Sequence, residues 1–245
     1  TFILVGDADA IEAELAAAGA DAERLDILHA AQQVGMAESP VEAVRRKTDS
    51  SLRRAMELMA DDEADAVVSA SNDCFEHVER PGAFVAAAHM IAKRLPGVRR
   101  PGISVVFPTV HGPVVVIDVG ANVDSRPLHL LQYGLMASVY AREVFGVGDP
   151  RVGILSIGEE SQKGNELARE ARDLMDRSAL NFLGNAEGRD IFNGRFDVVV
   201  CDGFVGNIVL KCVEALADSV FQTVMTEVRE MPTDTREALM PVMRN

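Results

Sequence analysis

Val152–Leu167 reads VGILSIGEESQKGNEL: an apolar run, a polar loop with a glycine at each side, and then the opening of a helical pattern. The apolar residues of Val152–Ile157 are continuous rather than alternating, which marks a strand covered on both faces, as strands in parallel sheets are. From Glu166 to Arg177 apolar residues recur at three- and four-residue spacing, the signature of a helix that buries one stripe. A strand that feeds a helix through a short loop is half of a βαβ unit. If the pattern repeats, the chain is an α/β protein with a mainly parallel sheet and helices on both faces.

It does repeat. Apolar runs at residues 1–5, 26–30, 66–70, 102–107, 114–119, 180–184 and 198–202 read as further strands. Helical spacing at residues 9–18, 50–59, 84–95, 128–145 and 208–228 fills the gaps between them. The runs GISVVF and VVVIDV are separated only by PTVHGP, too short for a crossover helix, so they form a hairpin and the sheet is mixed there. No internal repeat and no Ser/Pro/Gly-rich linker interrupts residues 1–245, which predicts a single α/β domain.

A formal net charge of −14 argues against nucleic acid, whose binding needs clustered Lys and Arg to displace counterions. The cations are clumped, however: Arg45, Arg46 and Lys47 precede Arg53 and Arg54, and Lys93 and Arg94 precede Arg99 and Arg100. Such clumps suit an acidic partner met locally, or else are solvated helix ends. Three cysteines without CxxC spacing support neither a disulfide framework nor a zinc site, and the five histidines show no ligand spacing. No metal and no cofactor is expected. The absence of a long apolar span and of a signal-peptide pattern points to a cytoplasmic address.

In an open α/β sheet the ligand sits beyond the carboxyl ends of the strands, so polar residues that follow apolar runs are the first candidates. SASND offers Ser69 and Asn72 as donors to an anion, although a plain helix cap has the same appearance. DVGANVDSRP groups Asp118, Gly120, Asn122 and Asp124 ahead of a helix opened by Pro127. GEESQKGNEL sets Glu159 and Lys163 before a helix that starts near Asn165, where an ammonium adds to the positive helix end. DGFVGNIVLK turns from Asp202 into a helix that starts near Asn207, in the manner of phosphate-cradling turns. It is neither a Walker motif nor a GxGxxG site, so ATP and NAD gain no support.

These junctions, with EAVRRKTDSSLRRAMEL and FLGNAEGRDIF, resemble in order the signatures of the bacterial phosphate:acyl-ACP acyltransferase family, from Thr1 to about Val228. The resemblance implies a Rossmann-like fold similar to phosphotransacetylases and to isocitrate and isopropylmalate dehydrogenases. It implies acyl carrier protein and inorganic phosphate as partners, a homodimer built by helix packing, and a peripheral contact at the inner face of the membrane. The region 208–245 would serve the dimer, and Met225–Met243 the membrane unless that tip packs on a second copy.

The mechanism expected on these residues is direct attack of phosphate on a thioester. Lys163, with Asn165 and Asn207, holds the dianion, and Asn122 stabilises the oxyanion; Ser69, Asn72, Asp118, Gly120, Glu159 and Asp202 line the site. Arg45, Arg46, Arg53 and Arg54 would receive the carrier. The family's opening DAMGGD and its closing Gly-rich, His-containing segment do not occur here, and SASND stands where the family has SAGNTGA. Two other readings stay open: a magnesium- and NAD-dependent decarboxylating dehydrogenase with Asp118, Asp124 and Asp202 as ligands, and a non-catalytic carrier- or membrane-binding module.

Overall fold

The computed structural model describes residues 2–20, 25–35, 38–69, 81–92 and 95–231. The chain divides into two compact units, Thr1–Pro101 and Gly102–Asn245.

In the first unit β1 (Phe2–Gly6) and β2 (Leu25–His29) pair in parallel around the helix α1 (Ala8–Ala18). Asp7 starts α1 by accepting from the Ala10 amide, and Gly19 ends it with φ of 61°. Three more helices follow, α2 (Pro40–Arg46), α3 (Ser51–Ala60) and α4 (Pro81–Ile91). Val44, Leu52, Met56, Ala83 and Ala87 form their shared core. α2 was not expected from apolar spacing; its signal is Pro40 in the first turn after Ser39. The strand expected at residues 66–70 is not formed over Ala66–Ser69, where Val68 is 95% exposed. An apolar triplet becomes a strand only beside a partner that completes its ladder, and among the described residues β1 and β2 pair only with each other.

The second unit holds a five-stranded sheet in the order β3-β4-β7-β5-β6. β3 (Ser104–Phe107) and β4 (Val114–Ile117) are the expected antiparallel hairpin. β5 (Arg151–Leu155), β6 (Asn181–Ala186) and β7 (Val198–Val200) run parallel to β4. α5 (Pro127–Phe145) joins β4 to β5, and α6 (Glu166–Asp176) joins β5 to β6. Both crossovers step the same way along the sheet, so right-handedness places both helices on one face. There Leu130, Tyr133, Ala171 and Met175 pack on Val152, Ile154 and Val200. The chain then returns through a 3-10 turn (Gly188–Ile191) and inserts β7 between β4 and β5. α7 (Gly203–Glu230) lies on the other face, where Val209, Leu210 and Val213 meet Val116, Val199 and Phe196. Val198–Val200 are fully buried on both faces, each adding about 1.5–3 kcal/mol of hydrophobic stabilisation, which explains why no alternation marked this strand.

β5 is tied to the segment leading into β7 by one ion pair. Asp197 accepts from the Arg151 backbone amide at 2.8 Å, from Nε at 2.9 Å and from Nη2 at 2.8 Å. Partial burial pushes the Asp197 carboxyl up, but the hydrogen bonds from Arg151 outweigh it and the net shift is downward. A depressed folded-state value stabilises the fold above the unfolded carboxylate value of about 3.9 and is lost as pH falls through the folded value. Asp197→Asn is expected to lower unfolding stability at pH 7 by about 1 kcal/mol, since Arg151 is partly exposed. In urea melts the gap between variant and wild type should close as pH falls below about 4.

Candidate active site

The carboxyl end of β4 runs into Asp118, which is fully buried. Its Oδ1 accepts from the amides of Ile103, Gly120 and Ala121 at 3.1, 3.1 and 2.8 Å. Its Oδ2 accepts from the Asn122 amide at 2.9 Å and from Asn122 Nδ2 at 3.0 Å. A buried carboxylate is tolerable only when its lone pairs are filled in this way, and these are filled by the loop that follows. Asp118 therefore folds the loop; its oxygens face their own chain instead of a ligand.

That loop seats the start of α7. The Gly203 amide donates to the Asn122 carbonyl at 3.0 Å. A Cβ on Gly206 would lie 1.9 Å from the Asp118 carbonyl oxygen, so only glycine permits this approach. Asp202 Oδ1 accepts from the Phe204 and Val205 amides, both at 3.0 Å. The first three amides of α7 are thereby spent. The helix starts at Gly203 and not near Asn207, which lies in the second turn with its amide inside the helix and its side chain beside Gly120. The expectation that amides at Asn207 receive an anion is corrected accordingly.

The carboxyl end of β5 is built differently. Asn185 of β6 is 3% exposed, and its Nδ2 donates to the carbonyls of Gly158 and Glu160 at 3.0 and 2.8 Å. The Glu159 carboxylate lies 2.9 Å from Arg195 and 3.7 Å from Arg189, anchoring the same loop from outside. Glu159 is thus an ion-pair partner in the fold. Lys163 is exposed with its stem over Gly158, and no ion pair among the described residues holds its ammonium. Gly164 turns the chain with φ of 100° into Asn165, whose side chain accepts from the Ala168 amide at 2.8 Å. The Glu166 and Leu167 amides at the head of α6 have no partner among the described residues. This helix start, unlike that of α7, keeps donors open.

Between the heads of α6 and α7 lies a cleft of about 580 Å³. β5 and β7 are neighbours whose following helices leave to opposite faces, and such a divergence opens a crevice at the carboxyl edge of a sheet. Leu130, Ile154, Leu167, Val205 and Val209 make its walls apolar, and Ser156, Asn165 and Asp202 supply polar groups. Cys201 also borders it, but burial, then the charges of Asp202 and Asp118, push its thiol far above the usual range. It stays protonated, which removes it as a nucleophile.

The structure gathers Asp118, Gly120, Asn122, Asp202 and Asn207 at the tips of β4 and β7, and Glu159, Lys163 and Asn165 at the tip of β5. All stand on one edge of one sheet. Ser69, Arg45, Arg46, Arg53 and Arg54 belong to the first unit, and Asn72 lies outside the described residues. Arg53 is engaged by Glu57 at 2.8 Å and the Val44 carbonyl at 3.2 Å, and Arg54 by Asp49 at 3.4 Å. The magnesium set is weakened by the same bonds: Asp118 spends both oxygens on N–H groups and Asp202 spends Oδ1 on two backbone amides, while Asp124 is exposed. Sequence reasoning missed Asn185 and Ser156, and the signal available for each was a polar residue at the end of an apolar run.

Residues 1–244 match the family described as "Fatty acid synthesis protein". The chain belongs to this family. Relatives in it include the phosphate acyltransferase of Geotalea uraniireducens (strain Rf4), 49% identical over 93% of this chain and 63% of the relative. That of Geobacter sulfurreducens (strain ATCC 51573 / DSM 12127 / PCA) is 48% identical over 92% and 63%. The chain thus spans less than two thirds of the length of these family members. In fold it is similar to EutD phosphotransacetylase from Staphylococcus aureus, with a TM-score of 0.60 and 19% identity over 88% of this chain and 74% of that one. A branched-chain phosphotransacylase from Enterococcus faecalis V583 follows, with a TM-score of 0.50 and 12% identity over 87% and 84%. The mixed α/β architecture expected from the sequence is the one these neighbours share.

Asp118→Asn turns an amide NH₂ toward the Asn122 donors and leaves buried N–H groups facing one another. Stability is expected to fall by about 2–3 kcal/mol, read as a shift of the urea midpoint, because unpaired buried donors cost that much.

Proposed function

We propose that this chain carries the acyl-transfer site of a phosphate acyltransferase, which moves a fatty acyl group from acyl carrier protein to inorganic phosphate in lipid synthesis. The observation that carries the reading is the apolar cleft with the open head of α6 and the loop of Lys163 beside it. An acyl thioester needs an apolar slot for its chain and a positive end for its carbonyl, and phosphate needs donors of the same sign. The name shared by the relatives, phosphate acyltransferase, supports it.

In this reading phosphate binds between the Lys163 ammonium and the Glu166 and Leu167 amides. One phosphate oxygen bonds to the thioester carbon, the C–S bond breaks with its electron pair going to sulfur, and the carrier leaves as a thiolate. The reading invokes no acyl-enzyme: phosphate is itself the nucleophile, and burial pushes the Cys201 thiol up. One N–H of Asn122 Nδ2 serves Asp118, and the reading gives the oxyanion to the open donors beside the cleft.

The acidic carrier docks on Arg45 and Arg46, exposed in the last turn of α2, in preference to Arg53 and Arg54, whose guanidinium groups already serve their own helix surroundings. α7 exposes Leu216, Val220 and Phe221, an apolar stripe suited to the helix packing of a homodimer. The membrane contact expected of Met225–Met243 falls mostly on residues outside the described ones. A peripheral site at the inner face of the membrane belongs to the same proposal, and no helix among the described residues is long and apolar enough to cross a bilayer.

Lys163→Ala is expected to lower acyl phosphate formation about 100-fold at unchanged melting temperature, the scale of losing one preorganised electrostatic contact. Unchanged turnover would remove Lys163 from the site. Arg45→Glu with Arg46→Glu should weaken carrier binding at least tenfold at low salt, with the difference shrinking as salt rises. Titration by fluorescence anisotropy at two ionic strengths reads this, and equal affinity for variant and wild type would move the dock elsewhere.

A further inference from the structure

Ser156 follows β5 on the wall of the cleft, and no motif drew attention to it. Its backbone amide donates to the Ala186 carbonyl at 2.8 Å, so the residue is fixed as a continuation of the sheet ladder. Its hydroxyl oxygen is buried and has no hydrogen-bond partner among the described residues. It is packed against Gly164, where a Cβ would stand 2.9 Å from Oγ, at the turn that leads into the head of α6. A buried hydroxyl without a partner costs about 1–3 kcal/mol, and an orphan of this kind on the wall of a cleft calls for an explanation.

We propose that Ser156 is a catalytic hydrogen-bond donor to the carbonyl oxygen of an acyl thioester in the cleft. The assignment rests on the reading of acyl transfer to phosphate set out above. Serine has three staggered rotamers, and leaving the one against Gly164 breaks no hydrogen bond, so the hydroxyl is free to swing toward the cleft at little cost. A thioester whose chain lies among Leu130, Ile154 and Val209 brings its carbonyl to the polar end, where Ser156 and the open amides of Glu166 and Leu167 stand together.

As the phosphate oxygen bonds to carbon, the carbonyl oxygen takes up negative charge and the Ser156 bond to it strengthens. As the C–S bond breaks, the charge leaves with sulfur and the bond relaxes. The serine keeps its proton throughout. A nucleophilic role would need a base within hydrogen-bond reach of Oγ, and the hydroxyl has none among the described residues.

The test compares the full chain with Ser156→Ala. With acyl carrier protein thioester and inorganic phosphate, kcat should fall about 100-fold, the scale of losing one oxyanion donor, while the KM for phosphate stays unchanged and the Tm holds or rises as the unpartnered hydroxyl is removed. A kcat within threefold of wild type overturns the assignment, and so does a loss of activity that comes only with a lower Tm. A second arm measures binding of a palmitoyl thioester of pantetheine by calorimetry without phosphate. Here the variant should bind about fivefold to tenfold more weakly, the size of one hydrogen bond. If wild type makes no acyl phosphate, the functional reading falls while this difference in binding still sustains Ser156; equal affinity, or no binding to wild type, overturns it.

Discussion

The second unit is organised by one buried negative charge. Asp118 sits at the end of β4 with no access to water, and an ion there is stable only if the protein replaces its hydration. Five N–H groups do so, from Ile103, Gly120, Ala121 and twice from Asn122. The loop has no other way to satisfy them, so its shape is dictated by the carboxylate. Because the same segment presents the Asn122 carbonyl to Gly203 and the Asp118 carbonyl to Gly206, the start of α7 is fixed by the same charge. Gly206 has to be a glycine for the same reason.

From that constraint follows the difference between the two helix heads at the cleft. Seating α7 on the β4 loop uses its first amides, and Asp202 closes the rest with a negative charge. α6 is seated by a neutral Asn165 that takes one amide, and its loop is held from the side by Asn185 and the Arg195–Glu159 pair. The partial positive charge of a helix head is available to a ligand only where no side chain has already neutralised it. One head is structural and the other is open, although both follow a strand and a glycine-containing turn.

The alternation of strand and helix was legible because period is a property of sequence alone: the continuous apolar runs of Val152–Ile157 and Val198–Val200 became central strands. The hairpin was legible for the same reason, since PTVHGP is too short to cross the sheet. The strand at residues 66–70 failed because an apolar triplet says nothing of whether a neighbour will pair with it. At the site, the positions of Asp118, Asp202 and Lys163 at strand tips were read correctly, but not what the carboxylates do. An aspartate beside a glycine turn has the same spelling whether it faces a ligand or caps its own backbone; only the partners of its oxygens distinguish the two. Asn185 and Ser156 each carried a weak signal, a polar residue at the end of an apolar run, but their roles were not legible, because a partner of Asn185 is 27 residues away and Ser156 Oγ has none among the described residues.

For the phosphate ion of the proposed function a net charge of −14 is a poor setting, yet the distances resolve the conflict. At physiological ionic strength an exposed charge is felt over about 8 Å, so the surface total matters less than the groups next to the site. Of the acids in the β5 loop, Glu159 is paired with Arg195 and Arg189, and Glu160 stands beside Gly158 with the Lys163 stem, so Lys163 offsets Glu160 and the open amides of α6 add the remaining positive charge. The apolar walls of the cleft then do two things at once. In the proposed function they would receive a hydrocarbon chain, and by excluding water they strengthen each of those few positive groups. A small number of donors in a dry slot can therefore hold an anion that the protein as a whole repels.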